Sequence, residues 1–175
     1  MEAALKTLVP DYVFPSFSAV TPQFLRENGI KALLSDVDNT LSPYEDAKPN
    51  EEVLRFIEEL HHSGIKIALV SNNHSDRITL YNSELGLPAF FDAKKPSRKA
   101  YFGAAKALSV DINDCAVLGD QLLTDCWSAR RLGIKAIIVP PIRDKRDLFH
   151  RVKRLIEVPF MCAYRRKERK NAKTK

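Results

Sequence analysis

Four short, uninterrupted apolar runs constrain this chain more than any other feature: residues 31–36 (KALLSD), 65–71 (IKIALVS), 115–120 (CAVLGD) and 135–140 (KAIIVP). A half-exposed strand alternates apolar and polar residues, so continuous apolarity over so few positions marks strands covered on both faces. Between the runs lie apolar stripes at helical spacing. They are Val53, Phe56, Ile57 and Leu60; Tyr101, Ala104, Ala105 and Leu108; and Leu148, Val152, Leu155 and Ile156. Residues 75–85 and 122–132 also read as helices, with Gly86 and Gly133 where helices stop. Ser97 is placed to cap the helix over 98–108, and Trp127 reads as core. Strands alternating with helices imply βαβ crossovers, hence a three-layer α/β sandwich around a mostly parallel sheet. Functional groups then belong at the carboxyl ends of the strands.

Size and composition agree with one such domain. The chain has 175 residues, 45% of them hydrophobic, enough for a proper core. No apolar run reaches the eighteen or so residues of a membrane span. The start, MEAALKTLVPDYVF, contains Glu2 and Asp11 and does not read as a secretory signal. Cys115, Cys126 and Cys162 are far apart, form no CxxC pair and suit a reducing cytoplasm. The net charge is +6, and residues 165–175 hold seven Lys/Arg and one Glu, which alone give +6. A neutral domain with a basic tail is expected: segment 1–29, a catalytic domain over 30–160 and a tail over 161–175. Such a tail serves either as a solvated solubility element or as a contact to anionic lipid or nucleic acid.

The chemistry gathers where the apolar runs end. The first ends in Asp36-Val37-Asp38-Asn39-Thr40. Two carboxylates so close can reach one hard cation, and Mg²⁺ prefers oxygen donors. The cation offsets the repulsion between an attacking Asp and an anionic phosphate. Asp is a competent phosphoryl acceptor, and a second acid is free to exchange protons with the leaving oxygen and with water. The second run ends in Ser71-Asn72-Asn73, whose hydroxyl and backbone N–H groups suit phosphoryl oxygens. Lys94-Lys95-Pro96 supplies an ammonium against the clustered acids. The third run ends in Gly119-Asp120, with Asp125 five residues on. Asp120 is placed to complete a cation site, Gly119 permits close backbone approach, and Asp125 serves the site or the start of a helix. Each signal alone also fits an ordinary polar turn; their recurrence at successive strand ends does not. The four histidines show no metal-ligand spacing and read as structural or surface groups.

The set DVDNT, SNN, KKP and GDQLLTD resembles the four motifs of the haloacid dehalogenase superfamily of phosphohydrolases, over roughly residues 30–140. The resemblance implies a Rossmann-like sheet. It implies that Asp36 is the nucleophile that becomes an aspartyl phosphate. Asp38 is then the general acid/base, with its backbone carbonyl on Mg²⁺. Ser71 becomes a phosphoryl-oxygen ligand, Lys95 rather than Lys94 the motif lysine, Asp120 a metal ligand, and Asp125 a metal-site or neighbouring acid. Family members usually carry a cap domain, but the gaps from Thr40 to Asn50 and from Ser71 to Lys95 are too short for one. The expected site is therefore open, suited to a phosphate on something large or presented at a membrane.

The sequence also resembles a narrower branch, the YqeG-type group, similar to phosphatidylglycerophosphate phosphatases. This rests on LVPDYVFPSFSAVTPQFLRENGIKALLSDVDNTLSPYE and GDQLLTD. The implied enzyme is a Mg²⁺-dependent phosphate monoester hydrolase acting on phosphatidylglycerophosphate, cytoplasmic and peripheral at the inner face of the membrane. Leu8, Val9, Tyr12, Val13, Phe14, Phe17 and Val20 precede the first strand, and either pack on the domain or face the membrane. A soluble small molecule or a phosphoprotein is the alternative substrate. A non-catalytic protein binding nucleic acid through its tail is the alternative class. A response-regulator-type phosphoacceptor is opposed by motif order, since here Asp-x-Asp comes first and Gly-Asp follows Lys-Pro.

Overall fold

In the computed structural model, residues 8–143 and 158–166 are described. The stripe from Leu148 to Ile156 and the chain beyond 166 lie outside them. Six strands form one sheet: β1 (Tyr12–Val13), β2 (Ala32–Ser35), β3 (Lys66–Val70), β4 (Ala89–Phe90), β5 (Cys115–Gly119) and β6 (Lys135–Ile138). Their order is β1-β6-β5-β2-β3-β4, and every adjacent pair is parallel.

The four apolar runs became β2, β3, β5 and β6, and both their faces are used. Leu33, Ile67, Leu69, Ala116, Leu118 and Ile137 point to one side. Ala32, Leu34, Ala68, Val70, Val117, Ala136 and Ile138 point to the other. Alternate side chains of one strand thus enter two separate cores, and the polar residues of these four strands, Ser35, Lys66 and Lys135, stand at strand ends.

Three helices cover the first face: α1 (Pro22–Glu27), α2 (Glu51–His62) and α3 (Ser75–Asn82). The stripe Val53, Phe56, Ile57 and Leu60 of α2 is buried there. The Asn50 side chain caps α2 by accepting from Val53 N at 3.0 Å, and Glu51 and Glu52 complement its amino end. On the second face lie α4 (Lys99–Ala107), α5 (Trp127–Leu132) and the helical residues 158–166. Ser97 does not cap α4. Its N–H donates to Lys94 O across the turn that contains the cis Lys95–Pro96 bond, and the helix starts two residues later behind Arg98.

The 122–132 helix is also modified. Its first part, Leu122–Cys126, is a π-helical turn, and α5 begins only at Trp127. Leu122, Cys126 and Ala129 face the core, which rotates Trp127 outward, where it is 41% exposed rather than buried. Gly133 closes α5 in the left-handed region at φ 74°.

Residues 8–31, ahead of β2, are built into the domain. β1 extends the sheet beside β6, and Tyr164 Oη accepts from Val13 N at 3.2 Å. Phe17 and Val20 are buried, and Phe17 meets the Phe56 ring edge-on with centroids 5.3 Å apart. Among the described residues no helix is long and apolar enough to cross a membrane.

Candidate active site

The chain runs outward from β2 in both directions, to β3 and β4 on one side and to β5 and β6 on the other. The carboxyl ends of β2 and β5 therefore border the crevice where open α/β sheets hold ligands. Asp36 leaves β2 there, with its N–H donating to Leu118 O of β5 at 2.8 Å. The backbone then turns sharply. Thr40, Leu41 and Ser42 all donate N–H groups to Val37 O, and Asn39 takes a left-handed φ of 63°, which Asn tolerates better than most residues.

Asp36, Asp120 and Asp125 converge, each offering an oxygen within 4.8 Å of the others. Lys95 Nζ joins two of them, at 2.6 Å from Asp36 Oδ1 and 2.8 Å from Asp125 Oδ1, with its side chain 3% exposed. Thr40 Oγ1 lies 3.3 Å from Asp36 Oδ2 and 3.4 Å from Asp120 Oδ1, donating between them. Asp125 also accepts from Gln121 N and Thr124 Oγ1. Its carboxylate lies over Gly119, where a Cβ would stand 2.3 Å from Asp125 Cγ. No residue larger than glycine fits there without displacing the acid.

Three carboxyl groups face one ammonium, so the cluster resists full ionisation. Burial pushes the Asp36 carboxyl up to about 6, against the pull of Lys95 and with a further push from Asp125 and Asp38. Burial, then the charges of Asp36 and Asp125, hold Asp120 well above the ordinary carboxylate value. Burial works to lower Lys95, but Asp125 and Asp36 more than reverse this and hold it well above its usual value. Ionised together, the three acids carry two negative charges beyond the Lys95 ammonium, which burial and mutual repulsion oppose; an all-oxygen donor set of that charge fits a hard divalent cation such as Mg²⁺.

Asp38 stands apart from this cluster. The expectation that both carboxylates of the Asp-x-Asp pair reach one cation is not met by their side chains. The cause is Arg77, on α3. Its Nε and Nη2 donate to Asp38 Oδ1 at 3.0 and 2.8 Å. Oδ2 of Asp38 faces Asn73 Nδ2 at 3.2 Å and Ser71 Oγ at 3.4 Å. Ser71 Oγ accepts from Asn73 N at 3.0 Å. Asn72, expected at the phosphate, uses its Oδ1 to accept from Lys95 N at 2.7 Å, tying the loop after β3 to the loop that carries the lysine. Asp36, Asp38, Ser71, Asn72, Asn73 and Lys95 all line one pocket of about 250 Å³ at the strand ends, with Asn39, Tyr44, Gln121 and Thr124.

The side chains of Thr40, Asn73 and Arg77 are site groups that the sequence reading did not single out. Thr40 and Asn73 lie inside quoted motifs and could have been read from them. Arg77 sits in an undistinguished helical stretch, and only folding brings it to Asp38.

A family model for haloacid dehalogenase-like hydrolases matches residues 15–139, and the chain belongs to that family. It is 33% identical over 162 residues to the "Probable phosphatase YqeG" of Bacillus subtilis (strain 168), an alignment covering 93% of this chain and 94% of that protein. Its fold is similar to that of an uncharacterized protein from Listeria monocytogenes serotype 4b. That match has a TM-score of 0.53 at 17% identity and covers 67% of this chain and 85% of the other.

Proposed function

We propose that the chain is a phosphatase that hydrolyses phosphate monoesters through an aspartyl phosphate on Asp36. The observation that carries this reading is the buried Asp36, joined to Lys95 at 2.6 Å and bordered by two more carboxylates, on the same pocket as Asp38. Asp36, Asp120 and Asp125 would hold Mg²⁺ through their carboxylates, with the backbone carbonyl of Asp38. When bound, the ion supplies positive charge that offsets the repulsion between Asp36 and the phosphate.

The remaining work belongs to side chains. An Asp36 oxygen forms a bond to phosphorus as the bond to the leaving oxygen breaks. That oxygen takes a proton from Asp38. Water then cleaves the aspartyl phosphate, and its proton goes to Asp38. Ser71 and Lys95 bind and orient the phosphoryl oxygens, with Asn72 holding the lysine loop. The D36N variant is expected to lose p-nitrophenyl phosphate turnover by about 10³-fold or more while keeping its thermal unfolding transition. Turnover close to wild type would remove Asp36 from the mechanism.

For the substrate we propose phosphatidylglycerophosphate, with the enzyme cytoplasmic and peripheral at the inner face of the membrane. Support comes from the resemblance to the YqeG-type group and from the short connections above the site. Residues 43–50 form no helix or strand, and 72–94 hold only α3 and β4. A site without a covering domain suits a phosphate borne by something large.

A further inference from the structure

Arg77 makes contacts that a surface arginine does not need. Its side chain is 15% exposed. Besides the two bonds to Asp38 Oδ1, its Nη1 donates to Asp46 O at 2.7 Å and its Nη2 to Pro43 O at 3.3 Å. The guanidinium lies 5.2 Å from the Tyr44 ring centroid and 6.0 Å from that of Tyr81. Tyr81 Oη in turn pairs with Ser42 Oγ at 2.7 Å. One side chain thus joins α3, the 43–46 loop and Asp38.

The direction of these bonds decides what Arg77 does to Asp38. Both short contacts go to the same oxygen, Oδ1. The other oxygen, Oδ2, is left on the side of Ser71 and Asn73, within the pocket. We propose that Arg77 is the positioning residue of the general acid/base, fixing the Asp38 carboxyl through Oδ1 so that Oδ2 is aimed into the pocket. A lysine cannot do this, because it lacks the planar fork that grips one oxygen while bonding two backbone carbonyls. Among the described residues no separate domain closes over this site, and the grip on Asp38 comes from inside the fold.

The inference rests on the phosphatase reading, and the two fail differently. Inactive wild-type protein, or an active D36N, removes the reading. With that reading in place, the test compares phenyl phosphate and p-nitrophenyl phosphate through kcat/KM, which reports the steps up to departure of the leaving group. Phenolate is the more basic leaving group and depends more on a proton donor. R77M is expected to lose about tenfold more kcat/KM on phenyl phosphate than on p-nitrophenyl phosphate, as D38N does. The R77M/D38N double variant is expected to be no worse than D38N, because both changes remove one function. R77K is expected to show the same selective loss, and it replaces R77M if the latter does not fold. Equal losses on the two substrates, or losses in the double variant that multiply, would overturn the assignment.

Discussion

At the scale of single residues, the site is a conflict of charge that the fold tolerates. Asp120 illustrates the sign. Its folded-state carboxyl holds a proton more tightly than the unfolded chain does, through burial and the neighbouring Asp36 and Asp125. Above the ordinary value of 3.8, rising pH therefore favours the unfolded chain, and this group subtracts from stability. The D120N variant removes that penalty. In EDTA its Tm is expected to equal or exceed that of wild type, by a margin that widens as pH rises. Added Mg²⁺ should then raise the wild-type Tm and leave that of D120N nearly unchanged. Thermal scans across pH, with and without Mg²⁺, check both halves. A D120N protein less stable than wild type in EDTA would show that the acids are held together by something other than an absent cation. Much of this cluster was legible in the sequence, because Asp36, Asp120 and Asp125 each follow a strand end. The orientation of Asp38 was not. It depends on Arg77, whose partner lies 39 positions away and leaves no local trace.

At the scale of elements, legibility followed burial. β2, β3, β5 and β6 are covered on both faces and left continuous apolar runs. β1 and β4 are two residues each, too short for any period. The stripe of α2 was readable because one face meets the core. The helix at 122–132 was readable as a helix, but its π turn was not, and that turn set the phase that exposes Trp127. The N-terminal segment left its placement open, and here packing decides. Phe17 is 4% exposed against Phe56, so F17A is expected to cost about 3 kcal/mol. Urea denaturation should show a lower midpoint at unchanged slope. A cost under about 1 kcal/mol would mean that the segment lies loosely on the sheet. Deletion of residues 1–22 would therefore disturb the domain itself, since it removes β1, Phe17 and Val20 together.

At the scale of the whole molecule, charge and catalysis occupy different parts of the chain, so they can be separated experimentally. Truncation after Arg166 leaves the described helical residues 158–166 intact. It removes five Lys/Arg and one Glu, which takes the net charge from +6 to +2. Each basic residue near an anionic bilayer contributes on the order of 1 kcal/mol, screened by salt. If the tail brings the enzyme to lipid, truncation should weaken sedimentation with phosphatidylglycerol vesicles by at least about tenfold at 0.1 M salt. Turnover of phosphatidylglycerophosphate in anionic vesicles should fall with it. Turnover of p-nitrophenyl phosphate should not change, because among the described residues none that lines the active-site pocket lies beyond Thr124. Equal vesicle binding and equal lipid turnover in the truncated protein would remove the membrane role of the tail. Loss of RNA retention instead, with lipid turnover intact, would assign those charges to nucleic acid. Soluble activity serves as the internal control, since it depends on the strand ends and not on the surface to which the enzyme is drawn.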